Sequence, residues 1–472
     1  MRTWLSATVV LVSGIVAGVL WSAAGASLDS WSAATTIPSC ATATQPKVVF
    51  PFSAPNVRSG PGAILWLSSG QGCAGAVTTI EAASIGAGDQ PGAPRPLLGG
   101  AAAQRSFVAP LAAIGTTEGN VIAIAGQAGT SVLGAPEAVA SDGPLSAPVE
   151  RLRSLGGPDS LVATMNGFIG DADVATVAPA PGGGYEIVLR AQRHYARSFS
   201  GRRVLPVGSA KVTALALGMD FRADRLVLWV AGGELYAQYV SNEGRIYPRQ
   251  TLGASGYRPQ VAAVVSDDRR AFVLWTVEPP PDQSAPTRVL LAHSGFGPTF
   301  HGAQTLASFT EPAGVRLTPG AVAAERLSGE GVALLWPAMV GGNYVIDAAG
   351  ATQSGALPPS TIALAGADVR LGAVATGPAN EVVVIAASAP RTASGFDQSQ
   401  QQLLATRSNE VRTPNGLGLG PLEVIAPAGP NTDPSVSVDP SNDTAVAAWQ
   451  TLVGGVAKVA YAIGAGATTR GG

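Results

Sequence analysis

The sequence predicts an all-β protein in which one unit of four antiparallel strands is repeated along the chain. Five short apolar segments end in tryptophan, and recurring segments of this kind are typical of repeat architectures. Apolar residues are 46% of the chain and come in short runs between glycine- and proline-rich turns, which favours many short strands. The five segments are Ala63–Trp66, Leu226–Trp229, Phe272–Trp275, Ala333–Trp336 and Val446–Trp449.

The N-terminal residues 1–26 have the pattern of a secretory signal peptide. Arg2 provides the positive start, Trp4–Trp21 is an apolar run, and Ala24–Ala26 is a small-residue cleavage site. An uncleaved membrane anchor is the alternative, because such a run is near the lower length limit for a membrane span. Either way the folded body is expected outside the cytoplasm, secreted or associated with the cell envelope. We expect no membrane span after the signal is removed.

The chain has two cysteines, Cys40 and Cys73. An even pair in an exported chain favours a disulfide between them. The alternative is two buried free thiols. Neither cysteine has a histidine at the spacing of a metal site.

The last repeat serves as the template for the unit. Asp433–Val438 alternates and predicts a strand, and a turn cluster separates it from a second strand at Thr444–Trp449. The pair Gly454-Gly455 makes the next turn, and Val456–Ile463 is the third strand. Strand, turn, strand, turn and strand form an antiparallel meander. In the units earlier in the chain, a fourth strand such as Arg249–Leu252 usually follows the third.

Second strands identify eight units, about 46 to 64 residues apart. The tryptophan is missing from three of them, at Val121–Ile124, Val174–Val177 and Val382–Ile385. One four-stranded unit exposes two apolar faces, and stacking units in a ring covers both. The tryptophans are therefore interpreted as packing groups between neighbouring units.

This pattern resembles a β-propeller, and the units are most similar to the loose repeats of secreted bacterial propellers. The resemblance implies one closed ring of seven or eight four-stranded blades, eight by count, over residues 27–465, followed by a flexible tail at 466–472. It is architectural, because the Ser-x-Asp-x-Gly-x-Thr-Trp turn of sialidase-like propellers and the WD40 and kelch marks are absent. The last unit has only three strands, so Ala34–Ile37 is expected to supply its outer strand and close the ring.

Composition and motifs exclude several functions. Lys+Arg 29 against Asp+Glu 31 leaves almost no net charge, so a nucleic-acid partner is not expected. There is no Gly-x-Ser-x-Gly, His-Glu-x-x-His or Cys-x-x-Cys motif, so neither a metal nor a cofactor is predicted. His293 and His301 are expected to be kept apart by a turn. Asp171-Ala172-Asp173 and Asp267-Asp268 are interpreted as solvated turns.

Two features are candidate binding sites. The first is a basic run in a chain poor in charge, whose guanidinium groups suit carboxylate or phosphate ligands, with a solvated blade edge as the alternative. Its arginines are Arg190, Arg193, Arg197, Arg202 and Arg203. A polyanionic envelope polymer is the partner that such a run suggests.

The second feature is a pair of long loops, Thr276–Thr287 and Ala386–Gln402. Both join a second strand to a third strand, which places them on one face of a propeller, and both carry Asp-Gln-Ser, with Asp282 and Asp397 as its acids. Long loops often carry function. The alternative is that they are plain insertions that inherited this tripeptide from one ancestral unit.

These observations favour an exported monomer that binds an envelope polymer or a protein without catalysis, as a scaffold at the cell envelope. The ligand is not predicted. The alternative is a glycan-acting hydrolase or lyase with its site at the mouth of the propeller channel. That enzyme would need two or more carboxylates, or a set of tyrosine, arginine and histidine side chains, converging there.

Overall fold

The computed structural model describes residues 31–39, 42–54, 57–58, 60–69, 78–86, 88–97, 107–115, 121–127, 131–136, 150–152, 162–166, 172–192, 199–220, 222–280, 283–295, 297–311, 321–327, 331–352, 355–392, 395–408 and 417–466. Four predictions fall on residues outside these ranges. They are the signal peptide, the disulfide between Cys40 and Cys73, the flexible tail beyond residue 466, and the site residues Arg193, Arg197 and Asp282.

The described part of the chain forms eight sheets of four or more antiparallel strands, numbered here in chain order. Sheet 1 contains Thr42–Val49, Gly62–Ser69, Thr79–Ile85 and Arg95–Pro96. Sheet 2 contains Phe107–Gly115, Val121–Gln127, Ser131–Pro136 and Glu150–Leu152. Sheet 3 contains Val162–Asn166, Ala172–Pro179, Tyr185–Gln192 and Ser200–Gly208. Sheet 4 contains Val212–Met219, Arg225–Ala231, Glu234–Val240 and Gln250–Ala254.

The second half of the chain repeats this pattern. Sheet 5 contains Val261–Val265, Ala271–Val277, Thr287–His293 and Gln304–Phe309. Sheet 6 contains Ala323–Arg326, Val332–Val340, Asn343–Thr352, Gly355–Ala356 and Ser360–Ile362. Sheet 7 contains Asp368–Thr376, Val382–Ala389, Gln401–Arg407 and Glu423–Gly429. Sheet 8 contains Thr432–Val438, Ala445–Val453, Val456–Gly464 and Thr35–Thr36.

Two small hairpins and one short helical turn complete the regular structure of the described residues. Phe52–Ala54 pairs with Val57–Arg58 inside sheet 1's first connection, and Arg391–Thr392 pairs with Gly395–Phe396 in sheet 7. A 3-10 turn spans Gln398–Gln400. The predicted all-β class and the four-stranded antiparallel unit are thus confirmed.

The tryptophans pack between sheets, as predicted. All five are at most 2% exposed. Trp229 belongs to an apolar cluster of sheets 3 and 4, Trp275 to one of sheets 4 and 5, and Trp336 to one of sheets 5 and 6. Trp449 packs between sheets 7 and 8, and Trp66 between sheets 8 and 1. Each indole therefore covers the face that its sheet presents to the preceding sheet.

The N-terminal segment completes the last sheet, which confirms a further prediction. Thr35 pairs with Tyr461 and Thr36 with Ala460, so residues from the start of the chain form the outer strand of sheet 8. Beside this strand, Ile37 joins a buried cluster that links sheet 8 to sheet 1. The last sheet is therefore packed against the first.

Ion pairs link successive sheets at the edge where first strands turn into second strands. Arg225 Nε lies 2.6 Å from Asp173 Oδ1, and both side chains are buried. Arg326 and Asp267 are 3.2 Å apart. Asp173 is 1% exposed, so its interpretation as part of a solvated turn is wrong. It lies in the second strand of sheet 3, where its ion pair with Arg225 offsets the free-energy cost of burying a carboxylate.

His293 and His301 also differ from expectation. Their ring centroids are 5.5 Å apart, because the His301 amide donates to the His293 carbonyl and brings the two residues side by side. In the part of the chain that the structure describes, no three histidine, cysteine or acidic residues converge as metal ligands. Nor does any helix within that part have the length and apolarity to span a membrane.

Candidate functional site

Charged and aromatic side chains from sheets 5, 6 and 7 converge at the edge where second strands turn into third strands. This set is called the Tyr344 cluster. Because second-to-third connections of neighbouring sheets lie at one edge, residues far apart in sequence meet there. Its members are Arg258, Glu278, Glu311, Tyr344, Asp368, Arg370, Arg391 and Phe396.

Tyr344 occupies the centre of the cluster. It follows the turn at Gly341-Gly342, whose φ angles of 59° and 84° suit a tight hairpin. Its ring is buried and meets Phe309 edge-on at 5.6 Å, and its hydroxyl donates a hydrogen bond to Glu311 Oε1. Burial raises the pKa of Tyr344, and the bond to the Glu311 carboxylate raises it further. Tyr344 therefore keeps its proton and acts as a donor.

Asp368 fixes two other members in place. Its Oδ1 accepts the Tyr344 amide at 2.8 Å, and its Oδ2 accepts Arg391 Nε at 2.8 Å. Arg391 Nη2 donates to Oδ1 as well, which completes a bidentate pair. The Asp368 side chain has no exposed surface, and the hydrogen bond to it raises the pKa of Arg391. Both charges of this pair are thus neutralised by each other.

Arg370 is the unusual member. It lies two residues after Asp368 in the first strand of sheet 7, and its guanidinium carbon is 4.5 Å from the Phe396 ring centroid and 5.6 Å from that of Tyr344. Its Nε and Nη2 are enclosed, yet they donate no hydrogen bond. Burial lowers the pKa of Arg370, but an arginine remains charged in proteins. The cluster therefore holds a cation with unused donors.

Arg258 and Glu278 are the members of the cluster on the side of sheet 5. Arg258 Nε lies 2.9 Å from Glu278 Oε2, and its Nη2 donates to the other carboxylate oxygen. Glu278 is buried, and the hydrogen bond to it raises the pKa of Arg258. Next to this pair, the Tyr257 ring is 56% exposed. This side of the Tyr344 cluster thus presents the exposed Tyr257 ring and the partly exposed Arg258 guanidinium.

The cluster combines the groups needed for proton transfer and for binding of negative charge. Tyr344 is a protonated donor, Glu311 is its carboxylate acceptor, and Arg370 and Arg391 are cations within 6 Å of the tyrosine ring centroid. Cations fixed in a partly desolvated site stabilise negative charge that develops in a reaction. The buried carboxylates of Glu278 and Asp368 hold Arg258 and Arg391 in place, so the charges of the cluster are preorganised.

The structure does not bring the predicted arginine run into this cluster. Arg190, Arg202 and Arg203 lie on the two outer strands of sheet 3. Arg202 is 3.2 Å from Glu186, and Arg203 contacts the loop of sheet 4 at Gly244. Their role as a ligand-binding surface stays a prediction.

The two long loops do contribute to the cluster, through residues that the sequence analysis did not select. They follow the second strands of sheets 5 and 7, as expected, and supply Glu278 and Arg391. Asp397, by contrast, accepts the Ser399 amide at 3.0 Å and caps the 3-10 turn. Glu278 and Arg391 were not predicted, because the only sequence shared by the two loops was Asp-Gln-Ser and neither residue belongs to it.

Glu325, in the first strand of sheet 6, is an isolated carboxyl among the described residues. Surrounding protein atoms raise its pKa to about 7, and no neighbouring charge offsets this effect. A raised pKa means that the folded state binds the proton more tightly, so this stability is present below the ordinary glutamate pKa and is lost as pH rises through about 7.

We expect wild type to lose about 2 kcal/mol of unfolding free energy between pH 5 and 8 through Glu325. Glu325→Gln should lack this loss, as measured by denaturant unfolding at several pH values. Glu243→Gln, at an exposed loop position, should keep the wild-type profile. Identical profiles for wild type and Glu325→Gln would contradict the assignment.

Comparisons with known proteins give similarity of fold at low sequence identity. No family model matches the chain, and no curated protein matches it in sequence. A polysaccharide lyase has a TM-score of 0.42 and 7% identity over 88% of this chain and 90% of its own. A mutant of the NanB sialidase from Streptococcus pneumoniae has a TM-score of 0.38 and 9% identity over 92% and 70%. A subtype N11 neuraminidase-like protein of A/flat-faced bat/Peru/033/2010 (H18N11) has a TM-score of 0.37 and 8% identity over 71% of this chain and 93% of its own.

These findings contradict the prediction of a non-catalytic scaffold at the cell envelope. The similar structures include sialidases and a polysaccharide lyase, which agree better with the alternative, a glycan-acting hydrolase or lyase, than with the scaffold. At such TM-scores the similarity identifies neither a site nor an activity in this chain. The all-β arrangement of four-stranded antiparallel sheets is shown by the described residues themselves.

Proposed function

We propose that the chain is a glycan-acting hydrolase or lyase whose site is the Tyr344 cluster. One observation carries this proposal: the Tyr344 hydroxyl donates to Glu311 beside Arg370, whose enclosed Nε and Nη2 have no hydrogen-bond partner. A proton donor, its carboxylate acceptor and an unsatisfied cation in one cluster are the groups that acid–base cleavage of a sugar linkage requires.

The roles follow from burial and protonation. Tyr344 is buried, so Glu311, which is only half-buried, is the member of the pair that meets the substrate. Glu311 acts as the base and takes up the proton from the substrate, and the Tyr344 hydroxyl holds its carboxylate in place by hydrogen bonding. Arg370 stabilises negative charge on the substrate. Asp368 acts through Arg391 and the Tyr344 amide, so it is a positioning residue.

The proposal includes the finer architecture and the location. Eight apolar clusters lie between successive sheets, and one of them joins sheet 8 to sheet 1, which supports a closed propeller of eight blades over residues 27–465. Export by the segment 1–26 would give the protein access to glycans outside the cytoplasm. The protein is proposed to act as a monomer.

Activity on a panel of polysaccharides and oligosaccharides tests this function. A hydrolase should produce new reducing ends. A lyase should produce new reducing ends and, in addition, an unsaturated product that absorbs ultraviolet light. Glu311→Gln should lower kcat by about 10²–10⁴, the usual contribution of a general base. Tyr344→Phe keeps the ring packing and should also lower kcat, since it removes the hydroxyl.

Glu243→Gln is the matched control, because Glu243 is an exposed glutamate of sheet 4 outside the cluster. Its kcat should equal that of wild type. Unchanged turnover in Glu311→Gln would place the chemistry elsewhere. The absence of cleavage across neutral, uronate-containing and sialylated substrates would refute the function.

A further inference from the structure

We propose that His293 and His301 form a binding site for a divalent transition-metal ion, with water completing the coordination. Imidazole is a favoured ligand of zinc, copper and nickel. The pair lies in sheet 5 where the third strand turns into the fourth, whereas the Tyr344 cluster lies at the opposite edge of the sheets. This site is therefore separate from the proposed function and does not depend on it.

The backbone places the two histidines directly opposite each other. His293 ends the third strand, and His301 lies in the connection that leads to the fourth strand. Ser294 and Phe300 form an antiparallel bridge, and the His301 amide donates to the His293 carbonyl at 3.0 Å. Directly opposite residues of antiparallel strands project their side chains from the same face. The histidine pair is thus a cross-strand pair.

The separation of the two rings suits a shared ion. Their centroids are 5.5 Å apart, and their planes are inclined at 57°. A ligating imidazole nitrogen lies about 2.0–2.1 Å from its metal ion. One ion between the His293 and His301 rings can therefore contact a nitrogen of each.

Neighbouring residues hold both histidines in position. Phe272, opposite His293 on the second strand, is buried, and the two ring centroids are 6.2 Å apart. The Gln250 side chain of sheet 4 accepts the Phe300 amide at 3.0 Å and donates to the Pro298 carbonyl. The chain directly before His301 is fixed by these bonds, so binding of an ion would need little rearrangement.

The pair is also accessible and has the protonation state that a metal requires. His301 is exposed, and His293 is half-buried. Burial lowers the pKa of His293, and His301 and Arg270 lower it further against a hydrogen bond to the Ser294 backbone, so the His293 imidazole is neutral at pH 7. The charge of Arg270 is balanced by Asp268 at 3.0 Å.

Solvent would supply the remaining ligands. Among the residues that the structure describes, no third histidine, cysteine or acid joins the pair. A site with two imidazoles and open positions selects metals by ligand type, and the affinities should follow the usual order in which copper binds most tightly. Magnesium and calcium prefer oxygen ligands and should not bind.

Calorimetric titration of the full chain, prepared without a histidine tag, tests the site with the chlorides of Cu²⁺, Ni²⁺, Zn²⁺, Mg²⁺ and Ca²⁺ at neutral pH. We expect one equivalent of each transition metal to bind, with Cu²⁺ the tightest, and the bound ion to raise the unfolding temperature. Electron paramagnetic resonance of the Cu²⁺ complex should show two coordinated imidazole nitrogens. Binding of Ca²⁺ as tight as that of Ni²⁺ would overturn the assignment to imidazole ligands.

His301→Ala changes an exposed position and should weaken Cu²⁺ binding by about tenfold or more, because the second imidazole no longer acts at a high effective concentration. His293→Gln should weaken binding similarly. His194→Ala is the matched control, since it removes the third histidine of the chain and should keep the wild-type affinity. Equal Cu²⁺ binding in wild type and His301→Ala, or loss of binding in His194→Ala alone, would overturn the site.

Discussion

Trp229→Ala is expected to lower the free energy of unfolding by about 3–5 kcal/mol. The Trp229 ring has no exposed surface and packs between sheets 3 and 4, stacked on Tyr236 at 5.6 Å. Its indole nitrogen has no hydrogen-bond partner, so the substitution removes packing and leaves no unsatisfied acceptor. The loss is a large share of the stability of a typical protein, which is about 5–15 kcal/mol. Denaturant unfolding of both proteins measures it.

Val340→Ala provides the control for this prediction. Val340 is 59% exposed next to a hairpin turn of sheet 6, so its truncation should change stability by no more than about 0.5 kcal/mol. If Trp229→Ala cost as little as Val340→Ala, the indole would not be a packing group between the sheets. A fall in the denaturant slope without a shift of the midpoint would instead indicate loss of cooperativity between sheets.

The repeated tryptophan shows why the fold could be predicted. A second strand buried on both faces needs an apolar run, and the last large side chain of that run fills the space towards the preceding sheet. This requirement is local, so each unit has an apolar second strand, and five of the eight end it in tryptophan. The N-terminal strand of sheet 8 was predictable for a similar reason, since the last unit has one strand too few and Ala34–Ile37 resembles the missing one.

The candidate site left no comparable mark. Glu311, Tyr344 and Arg370 come from connections and strands of different sheets, and their meeting depends on how sheets 5, 6 and 7 stack. No fixed spacing follows from such an arrangement. One signal was nevertheless available: in a chain with 13% charged residues, an Asp-Val-Arg segment at the start of an otherwise apolar strand, at Asp368–Arg370, is unusual enough to select.

Asp173 illustrates an error that arose from local reasoning. The acid-rich segment before the second strand of sheet 3 looked like a turn, but the strand begins at Ala172 and carries Asp173 into the interior. Its partner, Arg225, is 52 residues further along and belongs to the next sheet. A long-range ion pair of this kind cannot be read from local composition, because neither residue looks different from one in a solvated turn.

This pair leads to the second large effect that we expect. Asp173→Asn should destabilise the protein by about 3–5 kcal/mol, because it leaves the Arg225 charge buried without its counterion. Arg225→Met should cost a similar amount, since it removes the counterion of the buried Asp173 carboxylate. The double variant should lose much less than the sum of the two, because it removes both charges together.

The pair Arg269–Asp224, in which both side chains reach solvent, supplies the comparison that isolates burial as the cause. Arg269 is 50% exposed, and its Nε lies 4.0 Å from Asp224 Oδ2, against 5% exposure and 2.6 Å for Arg225. Because solvent screens an exposed pair, Arg269→Met should cost no more than about 1 kcal/mol. Additive losses in the Asp173–Arg225 cycle, or a cost for Arg269→Met equal to that of Arg225→Met, would mean that the buried pair does not couple sheets 3 and 4. Strong coupling would make the ion pairs at this edge, together with the apolar clusters, responsible for holding successive sheets together.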